Sequence, residues 1–250
     1  MPNPKVSCYC ATYGRTKLLE EAIHSFLIQD YDGQKELVIL NDFSEQTLFF
    51  DHPDIKIYNY KEKIIKLGYK FNECVKYCTG EILFPWEDDD IYLSNRISFS
   101  VNKMISNNTK IFHTRNAFYE QSYKNICNSF DYYNAYLLHH ANLAIHKDVF
   151  EKSGGYHESD RVDLDVISTD KFFSSQKYVS EEIDIKDFFY INRGLTTESY
   201  HATWLSHGKE GISKEAEKYI EESKKNIVLG DCYLNPHWKY DYELFCRSKY

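Results

Sequence analysis

Apolar and polar positions along the first ninety residues switch between two periods. Residues 5–10 read as a strand, and residues 15–29 carry Leu18, Leu19, Ala22, Ile23, Phe26 and Leu27 at helical spacing. A continuous apolar run at 36–40 (ELVIL) ends at Asn41-Asp42, and 54–60 (DIKIYNY) alternates as a further strand. Residues 68–78 return to helical spacing, with Tyr69, Phe71, Val75 and Cys78 as core positions, until Thr79-Gly80 stops them. Residues 81–86 make the next strand. This alternation predicts an α/β fold, a mostly parallel central sheet with helices on both faces. Strands buried on both faces read as apolar runs, as 37–40 and 82–86 do.

The second half is less regular. Residues 110–119 (KIFHTRNAFY) and 142–146 (NLAIH) read as strands, and 147–153 as a short helix closed by Gly154-Gly155. A helix is expected over 165–176, mostly strand over 177–191, and a charged helix over 212–228 with Ala216, Tyr219, Ile220 and Ile227 on one face.

Four acids, Glu87 to Asp90, follow the apolar strand at 81–86 without a spacer. At ~4 Å and an effective dielectric of ~20, each such pair costs roughly 4 kcal/mol. In parallel sheets, ligands bind outside the carboxyl ends of the strands. That rule gathers 11–15, Asn41-Asp42 and 87–90 on one rim. A divalent cation bound there would offset the repulsion, and hard carboxylate oxygens suit Mg²⁺ or Mn²⁺. The competing reading is a solvated acidic turn that caps a helix from about Leu93.

Composition narrows the field. A net charge of -8 argues against non-specific nucleic-acid binding, which depends on Lys and Arg at phosphates. The 22 Tyr, 16 Phe and 3 Trp offer stacking surfaces as well as core. No apolar run approaches the ~18 residues of a membrane span, and no signal-peptide pattern opens the chain, so a cytoplasmic location is expected. The seven cysteines lack paired metal spacing and read as reduced small hydrophobes. Neither a phosphate-binding P-loop, a zinc-protease HExxH, a GxSxG elbow nor a Gly-rich dinucleotide loop is present.

Four separated pieces resemble the inverting family-2 glycosyltransferases with the GT-A fold. They are Ala11-Thr12-Tyr13-Gly14-Arg15, then Ser25 to Tyr31 with Gln29, then Asn41-Asp42-Phe43-Ser44, and Asn72 followed by Gly80-Glu81 ahead of the acids. The resemblance spans roughly residues 5 to 170, with Gly14 replacing the family's Asn and Asn41 its first Asp. It implies that Ala11 and Tyr13 line the nucleobase pocket and that Asp42 bonds the base. It places Arg15 with the nucleotide, and Lys66 near the base or phosphates. Glu87 or Asp88 would contact the ribose, Asp89 would hold a metal bridging the phosphates, and Asp90 would support it. The segment after Gly154-Gly155 resembles the family's acceptor side, which makes Asp165 the catalytic base, with Asp163 and Asp160 as alternatives. His201, or His207, would reach the metal. His139 and His140 are placed near substrate. Tyr200, Trp204 and Trp86 are aromatic candidates for sugar stacking, with packing the plainer role.

The implied architecture is a GT-A domain over 1–205, with a nucleotide-sugar half at about 1–95 and an acceptor half at about 96–205. A helical extension is expected over 206–250. The implied function is transfer of a sugar, with inversion and with Mn²⁺ or Mg²⁺ as cofactor, from a nucleotide-diphosphate sugar, UDP-linked by preference, to a carbohydrate acceptor. A sugar-nucleotide nucleotidyltransferase is the first rival, although the Gly-rich phosphate loop of such enzymes is missing. A non-catalytic carbohydrate-binding module is the second. Peripheral membrane contact and homo-oligomer formation stay open.

Overall fold

The computed structural model describes residues 3–120, 130–134, 140–158, 171–174, 177–193, 224–225 and 227–248. Its first half runs β1 (Val6–Thr12), α1 (Thr16–Leu27), β2 (Lys35–Asn41), β3 (Gln46–Phe49), β4 (Ile55–Asn59), α2 (Leu67–Lys76), β5 (Ile82–Pro85), β6 (Ile91–Tyr92) and α3 (Arg96–Ser106). There follow β7 (Ile111–Thr114), β8 (Asn116–Glu120), β9 (Phe130–Asn134), β10 (Ala144–His146), α4 (Lys147–Lys152), β11 (Val179–Glu181), β12 (Tyr190–Arg193), β13 (Gly230–Tyr233) and α5 (Tyr242–Ser248). Short 3₁₀ turns lie at His140–Asn142 and Ile185–Asp187.

Seven strands form the large sheet in the order β11-β7-β10-β5-β1-β2-β4. β1 lies between β2 and β5 and is parallel to both, and β2 is parallel to β4. β10 runs antiparallel to β5 and β7. Successive side chains of β1 serve two cores, as strand alternation requires. Val6, Cys8 and Cys10 join Leu19, Ala22, Ile23 and Phe26 of α1 on one face. Tyr9 meets Phe71, Cys74 and Val75 of α2 on the other. The expected face of α1 is the buried one, with Leu27 half-buried at its end.

Two expectations fail for local reasons. Tyr69, expected in the core, is 41% exposed, and its neighbour Lys70 is buried instead because it pairs with Asp42. The stretch at 110–119 is two strands, since the chain leaves the large sheet at Arg115, whose N–H bonds Glu181 O, and enters a second sheet, β6-β12-β8-β9. Likewise 177–191 is broken by a 3₁₀ turn between β11 and β12. Within the tail, β13 pairs in parallel with β3, and α5 follows. Glu21 of α1 anchors this tail by accepting from Lys239 N (2.8 Å) and Tyr242 Oη (2.9 Å), and it pairs with the buried Arg193. The six described cysteines are buried, and Cys127 lies outside the described residues.

A polar knot seals the amino end of the sheet. Glu36 accepts from Ser7 Oγ (2.7 Å), Thr79 N (2.6 Å) and Lys56 Nζ (3.0 Å). Burial works to raise its carboxyl, but the hydrogen bonds from Ser7, Thr79 and Lys56 outweigh that and hold it at about 2, below its ordinary 4.5. A depressed acid contributes stability that is complete above its unfolded value and is lost as pH falls through the folded one. Thermal melts should therefore show the wild type losing its advantage over Glu36→Gln as pH falls from about 4.5 to about 2. Parallel melting curves across that window would contradict the assignment.

Candidate active site

The carboxyl ends of β1, β2 and β5 meet on one rim, and each contributes a turn of unusual polarity. After β1 the chain bends at Gly14, whose φ of 73° lies in the left-handed region that glycine enters freely and asparagine tolerates. Gly14 suits this bend, and the bend delivers Arg15 to the acids. Arg15 Nε donates to Asp88 Oδ2 (3.1 Å) and Nη2 to Asp88 Oδ1, while Nη1 donates to Asp89 Oδ2 (2.6 Å). Two-pronged arginine–carboxylate pairing of this kind is among the stronger charge-assisted contacts.

At the end of β2, Asn41 acts as a turn holder. Its Nδ2 donates to Gln46 O (3.2 Å) and Asn59 Oδ1 (3.0 Å), and its Oδ1 accepts from Phe43 N (3.2 Å). An ionised Asp could not donate the first two bonds. Asp42 beside it is buried, bonded to Lys70 Nζ (2.5 Å) and to Ile64 N (2.8 Å). Lys70 also donates to Thr12 O (2.8 Å), so one ammonium ties the ends of β1 and β2 together. Tyr13 is half-buried, edge-on to Phe43 at 4.9 Å, with Lys63 Nζ 4.4 Å from its ring centroid. Ala11 is half-buried in β1. Lys66 is exposed, and its ammonium reaches Glu158 O (3.3 Å).

The acids after β5 are not a solvated turn. Asp88, Asp89 and Asp90 are buried and Glu87 is half-buried, and α3 begins only at Arg96. Asp90 accepts from Tyr190 Oη (2.8 Å) and Arg193 N (3.0 Å). Burial, then Glu87 and Asp89, push the Asp90 carboxyl well above its ordinary value. Burial also raises Asp88, against the pull of Arg15. One oxygen from each of Glu87, Asp89 and Asp90 lies within 4.8 Å of the others, the single such group of three among the described residues. Three hard oxygen donors, two of them buried, fit Mg²⁺ or Mn²⁺.

Behind Glu87 runs a relay that the sequence reading only touched. His140 Nδ1 is hydrogen-bonded to Glu87 Oε1 (2.8 Å) and its Nε2 to the Tyr156 hydroxyl, itself bonded to Tyr9. Burial pushes the Tyr9 phenol well up, so it stays a donor. Tyr156 follows the Gly154-Gly155 turn, which Asn72 grips by accepting from Tyr156 N (2.8 Å) and donating to Tyr156 O (3.0 Å). Gly155 has φ of 66°, and a Cβ there would meet Asn72 Oδ1 at 2.5 Å. Gly155→Ala should thus cost about 1–3 kcal/mol, read as a lowered melting temperature. Trp86 is buried and donates to Ala22 O (2.8 Å), a packing role. Asp165, Asp163, Asp160, His139, Tyr200, His201, Trp204 and His207 lie outside the described residues.

Lys70 and Tyr156 were missed from the sequence. The signal for Lys70 was a basic residue beside Phe71 and one turn before Cys74, on the buried side of α2.

No curated protein matches the chain. Among solved structures it resembles S. aureus TarS at 12% identity and a TM-score of 0.59, covering 89% of this chain but only 43% of that TarS chain. S. aureus TarS 1–349 in complex with UDP-GlcNAc gives 11% identity, a TM-score of 0.59 and coverage of 89% and 72%. The mannosyltransferase PcManGT from Pyrobaculum calidifontis, in complex with GDP-Man and Mn²⁺, gives 15% identity, a TM-score of 0.57 and coverage of 90% and 70%. At such identities the likeness is one of fold, the GT-A type. Residues 7–154, more than half of the chain, match the family model described as Glycosyl transferase family 2, and the chain belongs to that family.

Proposed function

We propose that the protein is a metal-dependent inverting glycosyltransferase that moves a sugar from a nucleotide-diphosphate donor to a carbohydrate hydroxyl. The observation that carries this reading is the convergence of Arg15, Asp42, the half-buried Glu87 and the buried Asp88 to Asp90 at the ends of three neighbouring strands. A UDP-sugar is the favoured donor, in keeping with the UDP-GlcNAc complex of TarS.

Tyr13 and Ala11 would border the base, Asp42 would address it from its Lys70-fixed position, and Lys66 would approach the base or the phosphates. Glu87 or Asp88 would meet the ribose. Glu87, Asp89 and Asp90 would hold Mn²⁺ or Mg²⁺, with His201 as a further ligand. When bound, the cation supplies charge neutralisation at the departing diphosphate. Asp165, or Asp163, would take the acceptor hydroxyl's proton as its oxygen attacks the anomeric carbon from the opposite side. This places the donor half at about 1–95, the acceptor half at about 96–205 and an extension at 206–250. The reaction would run in the cytoplasm. No helix among the described residues is long and apolar enough to cross a membrane.

A panel of nucleotide sugars with Mn²⁺ tests the proposal. The expected result is release of a nucleoside diphosphate from one donor, with retention of the sugar on an acceptor or its hydrolysis. Pyrophosphate release from a nucleoside triphosphate and a sugar phosphate would favour the nucleotidyltransferase instead, and tight binding without turnover would favour a carbohydrate-binding module.

A further inference from the structure

Asp89 belongs to two arrangements at once. One of its oxygens is within reach of Glu87 and Asp90 as part of the carboxylate trio, and Oδ2 accepts from Arg15 Nη1 at 2.6 Å. The Arg15 side chain is 9% exposed, with Asp88 at 1% and Asp89 at 10%, so this ion pair is shielded from bulk water. Its geometry is asymmetric. Among the described residues, Asp88 accepts from two prongs of the guanidinium, Nε and Nη2, and Asp89 accepts from Nη1. The single contact can be exchanged while the paired contact holds the side chain in place.

On the donor-site reading given above, we propose that Arg15 is the resident cation of this acid cluster. It neutralises Asp88 and Asp89 until the donor arrives. It then keeps its double grip on Asp88 while Asp89 turns from Nη1 to the divalent ion, and the donor's diphosphate takes the place of Asp89 on Nη1. Two positive charges close together on Asp89 repel, so an ion arriving alone meets a site that is already neutralised. An ion arriving with a diphosphate does not, because the displaced guanidinium gains a new anionic partner of the geometry it favours. Ion and diphosphate therefore bind synergistically, and by linkage each raises the other's affinity by the same factor. The ordered use of one arginine follows from the position of Asp89 between Arg15 and the trio.

Electron paramagnetic resonance of free Mn²⁺ reads this directly, with no turnover required. Wild type and Arg15→Gln are titrated with Mn²⁺ alone, with Mn²⁺ and UDP, and with Mn²⁺ and GDP, and both are melted in EDTA and in Mn²⁺. The expected result is Mn²⁺ binding to the wild type that tightens at least about tenfold with a diphosphate. Arg15→Gln should bind Mn²⁺ alone about tenfold more tightly than the wild type and lose most of the diphosphate enhancement. Its melting temperature should fall in EDTA and recover in Mn²⁺. If Arg15→Gln does not fold, Arg15→Lys, which keeps the charge without the fork, replaces it, with an expected gain of about threefold. Equal or weaker Mn²⁺ binding by the variant, beside diphosphate-dependent binding by the wild type, would overturn the arginine's role and leave the donor site standing. A wild type that binds Mn²⁺ with neither diphosphate would overturn the donor site, and this proposal with it.

Discussion

Asp89→Asn is expected to lower diphosphate release from the preferred nucleotide sugar by about 10²–10³-fold, the scale of losing one charge-stabilising group in a closed site. The amide keeps the shape of the side chain and removes the anionic oxygen that the trio needs. Folding should persist, because Arg15 retains its two bonds to Asp88, and one of four crowded negative charges is gone. Steady-state assays beside a thermal melt separate the two effects. A variant that stays active would remove Asp89 from the chemistry, and one that unfolds would make it a structural acid.

Lys70→Met should be the most destabilising single change in the donor half. Asp42 is almost wholly buried, and Lys70 Nζ at 2.5 Å is the positive charge bonded to it. Removing one member of a buried pair leaves the other uncompensated, at a cost of about 3–5 kcal/mol. For a chain of this size, that corresponds to a fall in melting temperature of about 10 °C or more. The double variant Asp42→Asn/Lys70→Met should recover most of the loss, since it buries no lone charge. A single variant that melts with the wild type would mean that water reaches Asp42 and that the β1–β2 junction is held by other contacts.

The donor half was legible because its strands are buried on both faces. Runs such as 36–40 and 81–86 leave little choice of structure, and α1 ahead of them buries the apolar face its spacing predicts. β3 escaped notice, being four residues long directly after a turn and paired with a strand nearly two hundred positions away. The second sheet was misread at Arg115, where one apolar stretch serves two sheets and local periodicity carries no mark of the transfer. The acids themselves were evident, and their burial was not. Arg15 to Asp88 and Asp89, Lys70 to Asp42, and His140 to Glu87 each join residues tens of positions apart. Such pairings depend on strand order and on which way a turn such as that at Gly14 sends the next side chain. At the two departures, Gly14 takes a left-handed backbone that suits glycine, and Asn41 makes the hydrogen bonds of its own turn.

The most direct measurement is an anomalous difference map from a crystal soaked with Mn²⁺ and a nucleoside diphosphate. A single strong peak about 2.0–2.3 Å from an Asp89 oxygen, with the diphosphate bound to the same ion, is the expected result. A map in which manganese sits elsewhere, or Asp89 still holds Arg15 while nucleotide occupies a different face of the protein, would contradict the assignment of this rim as the donor site.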